Sequence, residues 1–256
     1  MKLTFASFLS PNLETLYRAA TGHVGRRLGI STELVVGSSY EEFGRRKIDA
    51  GFICGLPYVR LAGGVHAVAA PVVDGPRYRG RPVYFSDVVA RADHPAQTFA
   101  DLRGASWCYN EPDSHSGYMT VLHHLVRLGE TPSYFRRFDA VGFHLTSLRL
   151  VAEGSYDASA IDSHVMAVCN RRDPDLLRGL KVIESIGPST IQPVVVADHV
   201  PPDVREAIAG ALVDMHERSV FDQAVVAGFV RVCDSDYDDI RAIAATVAAA
   251  ERRLDR

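Results

Sequence analysis

Trp107-Cys108-Tyr109-Asn110-Glu111-Pro112-Asp113-Ser114-His115-Ser116-Gly117-Tyr118 is the stretch on which the fold turns. Ala105 to Tyr109 has the apolar, β-prone character of a strand, and Asn110-Glu111-Pro112-Asp113 is turn chemistry. Val121, Leu122, Leu125, Val126 and Leu128 follow at helical spacing, which predicts a helix over 117–128. Serine is a preferred N-cap, and a first-turn glycine leaves backbone N–H groups uncovered. With no lysine or arginine in the stretch, those N–H groups and the positive end of the helix dipole predict an oxyanion seat at Ser114 to Gly117. An ordinary cap and turn is the alternative.

Outward from this unit the same alternation recurs. On the N-terminal side, a strand at Lys2 to Ser7 leads into a helix opened by Ser10-Pro11. Leu13, Leu16, Tyr17, Ala20, Val24 and Leu28 form its apolar face. A strand at 33–36, a short helix at 41–47 and a strand at 48–54 come next, then a turn at Gly55-Leu56-Pro57-Tyr58 and an apolar run at Val65 to Val73. That order predicts parallel strands with both faces covered and ligands at the strands' carboxyl ends. Ser7-Phe8, Ser38-Ser39-Tyr40 and the Gly55–Tyr58 turn are therefore expected along one edge.

On the C-terminal side, after a loop with Pro132 and two arginines, a helix opens at Gly142-Phe143-His144 and ends near Gly154. Ala158 to Ser163 is a strand tip running into a helix over 163–170. Leu180 to Ile186 and Ile191 to Ala197 are expected as two β runs separated by Gly187-Pro188-Ser189. Pro201-Pro202 opens a helix to about Ser219, and Asp236 to Leu254 is an alanine-rich terminal helix. Two α/β halves joined by β crossings near 83–91 and 187–196 predict two lobes, each a mixed sheet flanked by helices. Lobe one is expected at 1–84 plus 192–256 and lobe two at 85–191, with a ligand cleft between them.

The 256 residues are 47% hydrophobic and 23% charged, enough for a substantial core. A formal net charge of −3 without long like-sign runs argues against a nucleic-acid partner. The four cysteines, Cys54, Cys108, Cys169 and Cys233, form no CxxC pair, so neither a metal cluster nor a cofactor is expected, and buried free thiols are. His123 and His124 are neighbours pointing in different directions, and His66, His164 and His199 lack partners at metal-ligand spacing. Met1 to Ser7 is strand-like and lacks an apolar signal segment, and no stretch is apolar enough to span a membrane. As given, the chain is expected to be soluble and cytoplasmic, with removal of a leader left open. A Ser–His–Asp hydrolase is disfavoured, because no G-x-S-x-G elbow is present.

These residues resemble the phosphate/phosphite/phosphonate-binding family of ABC-transporter solute receptors, which have the type II periplasmic-binding-protein fold. The matching pieces are Asp49 to Val59, Tyr84 to Val89, Phe99 to Gly104, Tyr109 to Tyr118, His144 with Ser147-Leu148, Asp157 to Ser163 and Gly187 to Ser189, in family order. The resemblance implies an oxyanion at the helix after Asn110-Glu111-Pro112, held by Ser114, His115 and Ser116. His144 would join from the next turn, with Tyr40 and Tyr84 from the other lobe and the hinge, and Asp162 as an acidic group at the cleft; Ser7 and Tyr58, from the edge turns above, are further candidate ligand contacts. A carboxylate beside an anion repels it unless a proton or cation intervenes, so Asp162 implies a ligand with a P–OH or an amine. Asp162 is also a natural N-cap for the helix over 163–170. Phe143 stands where the family usually has a small residue, which is expected to reshape the pocket.

The implied function is recognition without chemistry, in a monomer that binds a small oxyanion and meets an ABC permease. The alternatives are an enzyme on the same fold, of the kind that makes a pyrimidine precursor of thiamine, or a cytosolic ligand sensor.

Overall fold

The structure is a computed structural model and describes residues 2–61 and 63–254. In chain order the elements begin with β1 (Lys2–Ser7), α1 (Glu14–Leu28), β2 (Ser31–Val36), α2 (Glu41–Gly44), β3 (Ala50–Phe52), α3 (Gly55–Arg60) and β4 (Val65–Val73). Then come β5 (Val83–Arg91), β6 (Ser106–Tyr109), α4 (Thr120–Arg127), β7 (Arg137–Ala140), α5 (His144–Ala152), β8 (Ala158–Asp162), α6 (Ser163–Arg172) and α7 (Pro174–Arg178). The chain closes with β9 (Leu180–Thr190), β10 (Val194–Ala197), α8 (Pro202–Val213), α9 (Arg218–Ala224), β11 (Val226–Arg231) and α10 (Asp238–Leu254). They divide into two compact units, one holding residues up to Val83 and Thr190–Asp238, the other holding Tyr84–Ser189 and the chain from Asp239 on.

The first unit is built on a six-stranded mixed sheet, β11-β4-β10-β3-β1-β2. β1 is parallel to β2 and β3, whereas β10 is antiparallel to β3 and β4. Phe5, Leu16, Phe52 and Val196 are buried, and Tyr17 stacks on Phe52 with ring centroids 4.5 Å apart. The parallel strands end together at Ser7, Val36 and Phe52. Phe8 N donates to the Phe52 carbonyl and Gly37 N to the Ser7 carbonyl, both at 3.0 Å, tying the three turns into one edge.

The second unit has a five-stranded mixed sheet, β7-β6-β8-β5-β9. β6 is parallel to β7 and β8, and β5 is antiparallel to β8 with Ser86 opposite Asp162. Its core centres on Trp107. Trp107 is fully buried, stacked on Phe135 at 4.7 Å and tilted against Phe99 at 5.8 Å.

Several expectations fail for local reasons. The Gly55–Tyr58 segment is the start of a helix, because Leu61 N reaches back to the Pro57 carbonyl and closes a turn. The loop after Pro132 contains a strand, β7, whose alternation Arg137-Phe138-Asp139-Ala140 is too short to stand out. Gly187-Pro188-Ser189 does not separate two runs, since β9 continues through a cis Gly187–Pro188 bond to Thr190. The helix from Pro202 stops at Val213, and α9 and β11 follow where sequence offered no clear period. Most of α10 packs with the second unit rather than the first. Val247 is buried, and Val247 and Ala250 line a small pocket with Leu122, Leu125 and Val126 of α4. Cys54, Cys108 and Cys169 are buried thiols as expected, but Cys233 is exposed.

Asp157 locks the entry to β6. Its carboxylate accepts the Ser106 N–H at 2.7 Å, the Ser106 hydroxyl at 2.8 Å and Arg136 at 2.9 Å. Burial pushes this carboxyl up, but Arg136 and the two Ser106 donors outweigh it and pull it down to about 2. A carboxylate depressed on folding stabilises above its unfolded value near 3.9, and that stability fades as pH falls through 2. Asp157→Asn should therefore cost on the order of 2 kcal/mol at neutral pH. Urea unfolding at a series of pH values should show the gap to the unmodified protein closing between about pH 4 and 2.

Candidate functional site

The parallel register of β7, β6 and β8 sets the site. Their carboxyl ends lie along one edge, and each leads into a helix: β6 into a helical segment starting at His115, β7 into α5 at His144, β8 into α6 at Ser163. β5 runs the other way, so its first residues reach the same edge.

The helix after β6 begins with a wide turn, His115–Met119, in which Met119 N donates to the Ser114 carbonyl five residues back at 3.1 Å. The Ser114 side chain caps it, accepting from Gly117 N at 3.0 Å. A Cβ on Gly117 would run into Asn110 Oδ1 and stand 3.2 Å from His144 Cε1, so glycine is fixed here by close approach. Sequence placed this helix start at residue 117, two residues late.

Ser116 and His144 meet. Ser116 Oγ lies 3.2 Å from His144 Nε2, while the Ser116 carbonyl accepts the Thr120 hydroxyl at 2.9 Å. The Thr120 hydroxyl is in turn 2.9 Å from Ser86 Oγ. Ser86, Thr120, Ser116 and His144 thus form one buried chain across β5, α4 and α5. His115 turns to the far end of β9, with Nε2 2.9 Å from Ser189 Oγ, and the buried Tyr84 ring lies 6.3 Å from its imidazole. Asp162 accepts His164 N at 2.7 Å and Val165 N at 3.4 Å, the N-cap role that its position predicts.

Electrostatically the edge is a set of neutral donors. Burial drives the His115 imidazole down to about 3, with His123 adding in the same direction. Burial also lowers His144, against the opposing pull of the Asp162 carboxylate. Both rings are neutral near pH 7. The buried His144 Nδ1 and Asn110 Oδ1 have no hydrogen-bond partner among the described residues.

The second unit therefore brings together Ser114, His115, Ser116, His144, Asp162 and Tyr84. Ser7, Tyr40 and Tyr58 belong to the first unit. There, Tyr40 stacks on Phe8 at 4.5 Å and Ser7 Oγ accepts Leu9 N at 3.4 Å on the edge just described. Tyr58 is buried, donates its hydroxyl to Asp234 at 2.8 Å and packs edge-on against Tyr237, so that its polar tip is bound within the unit. Phe143 is exposed. Asn110, Thr120, Ser86 and Ser189 were not singled out as site residues. Asn110 directly follows β6, Ser189 lies near the end of β9, Thr120 is one helical turn after Ser116, and Ser86 pairs with Asp162 across the sheet. No group of three or more metal-ligating side chains is assembled among the described residues.

Buried hydroxyl and imidazole groups thus gather at the carboxyl ends of the second unit's strands. The family model for periplasmic substrate-binding proteins of ABC phosphonate transporters matches residues 3–237, and the chain belongs to that family. The expected resemblance and the mixed α/β fold are both correct, and the family is one of substrate binders rather than enzymes. Similar solved structures include a binding protein component of an ABC phosphonate transporter from Pseudomonas aeruginosa, 17% identical, with a TM-score of 0.81 over 99% of this chain and 94% of that one. PhnD1 of Prochlorococcus marinus in complex with methylphosphonate is 15% identical, with a TM-score of 0.84 over 96% and 98%. A Xanthomonas citri protein bound to ATP is 17% identical, with a TM-score of 0.72 over 98% of each chain. No helix among the described residues is long and apolar enough to cross a membrane.

Two measurements probe this geometry. Gly→Ala inside a helix ordinarily stabilises by up to about 1 kcal/mol, but Gly117→Ala should destabilise by roughly 1–3 kcal/mol through the Asn110 collision. Denaturant titration gives the sign directly. For His115, protonation is easier in the unfolded chain, so stability is complete above pH 6.5 and declines as pH falls toward 3. The loss between pH 6.5 and 5 should be on the order of 2 kcal/mol, and His115→Asn should remove that component.

Proposed function

We propose that the chain binds a small phosphorus oxyanion (phosphate, phosphite or a phosphonate) for ABC-type uptake, with the second unit's strand edge as its main seat. The pairing of Ser116 with a neutral His144 at neighbouring helix N-termini carries this reading. Helix dipoles and charge-assisted hydrogen bonds stabilise an anion in a dehydrated site without any cation from the protein. Ser116, His144 and the first-turn N–H groups are the donors. Ser114 caps the helix that presents Ser116, Asp162 caps the neighbouring α6, and His115 and Tyr84 support the edge. A part for Tyr40 is proposed on the family likeness, and one for Ser7 on its place at the carboxyl end of β1. The Asp162 carboxylate acts on His144 and favours a ligand that carries a P–OH or an amine over sulfate. An ABC permease and an extracytoplasmic place of action go with the family's description.

A thermal-shift panel of phosphate, phosphite, methylphosphonate, aminoethylphosphonate, sulfate and a pyrimidine tests the proposal. Ligand at a hundred times its Kd should add about 2.7 kcal/mol of stability. Ser116→Ala combined with His144→Gln should abolish the shift while leaving the unliganded protein folded. A shift from the pyrimidine alone, or an undiminished oxyanion shift in the double variant, would overturn it.

A further inference from the structure

We propose that Asn110 is a further donor of the seat, its side-chain NH2 group hydrogen-bonding an oxygen of the bound anion; this rests on the oxyanion reading above. Asn110 directly follows β6 and is only 8% exposed. A buried amide ordinarily finds partners for its carbonyl and its N–H bonds. In a turn, asparagine commonly spends them on its own backbone two residues on. The Asn110 side chain does neither, since it makes no hydrogen bond among the described residues and its Oδ1 is buried. Its main chain is well fixed, because the Asn110 carbonyl accepts Gly142 N at 2.8 Å.

Gly117 decides which way the amide faces. A Cβ on Gly117 would stand 2.0 Å from Asn110 Oδ1 and 3.2 Å from its Cγ. Those distances differ by 1.2 Å, about the length of a C=O bond, so the carbonyl points head-on at that position. Glycine carries a hydrogen there, and a Cα–H accommodates a carbonyl oxygen as a weak partner, whereas an NH2 group would meet it hydrogen to hydrogen. Oδ1 is thereby committed to the first turn of the helix, and Nδ2 is the end turned away from it.

The same point lies 3.2 Å from His144 Cε1, so Asn110 Oδ1 and His144 Cε1 are at most 5.2 Å apart, the sum of the two distances. His144 is 6% exposed, and its Nε2 lies 3.2 Å from Ser116 Oγ. Amide, imidazole and hydroxyl therefore surround one turn of chain. A buried donor without an acceptor is costly, and an oxyanion supplies an acceptor that all three can share. An amide adds its N–H bonds to the seat without adding charge.

Calorimetric titration of the full chain with phosphate, phosphite and methylphosphonate tests this, comparing the unmodified protein with Asn110→Ala and the equally sized Asn110→Asp. The alanine variant should bind roughly ten- to a hundredfold more weakly, the worth of a hydrogen bond to a charged acceptor. At about pH 8 the aspartate variant should lose more, because its carboxylate repels the anion. At about pH 4.5 part of that carboxyl is protonated and has an O–H to donate, so its deficit against the unmodified protein should shrink, while the alanine deficit should not. Affinities within about twofold of the unmodified protein in both variants, or equal deficits with no recovery in the aspartate variant, would overturn the donor role and leave the seat standing. Where a variant does not fold, the Asn110 side-chain NH2 signals in the NMR spectrum of the unmodified protein decide. They should move when a bound probe is added, and signals that stay in place overturn the role. Failure of all three probes to bind the unmodified protein removes both this role and the oxyanion reading.

Discussion

Strand register fixes the dipoles and hydroxyls that the proposed anion seat would need, because an anion is held without a cation only where such groups are positioned beforehand. Because β7, β6 and β8 run parallel, three helices begin on one edge. Because β5 pairs with β8 so that Ser86 faces Asp162, Ser86 can join Thr120 and, through it, Ser116. A one-residue slip would turn Ser86 to the opposite face and break that chain. The buried histidines depend on the same placement. Each is neutral because it is dry, and each is dry because the aromatic and aliphatic core beneath the sheet holds the helices in place.

Much of this was legible in the residues. The strand–turn–helix order around Trp107 to Tyr118 carries its own signals, namely β-prone residues, a proline turn, a serine cap and an apolar helical period. The value of Asp162 as a cap follows from its place before an apolar helix, and its two accepted N–H bonds agree. What escaped were features with no local signal. β7 has four residues and β11 follows directly on a short helix, so neither shows a period. The meeting of Ser116 with His144 spans 28 positions and depends on tertiary register alone. The assignment of α10 was missed because its alanine-rich face fits any apolar surface, and only the packing of Val247 and Ala250 beside Leu122 and Leu125 decides it.

Tyr58 shows the converse. A tyrosine in a turn after a strand reads as a hydroxyl offered to a ligand, but a hydroxyl buried beside an acid is used at home. Asp234 accepts it. Phe143 is the opposite case, an aromatic residue at the N-cap of α5 that is left 55% exposed and supplies no side-chain cap.

The division of the chain also bears on the order in which the protein can be completed during synthesis. The first unit needs residues to Asp238, and the second needs α10 beyond it. Neither unit is a contiguous segment, so no nascent chain short of the last helix contains a finished second unit, and the first is finished only just before. Both units therefore stay incomplete until synthesis has passed well beyond Thr190. Until α10 is made, the side of α4 that carries Leu122 and Val126 lacks the cover of Val247 and Ala250.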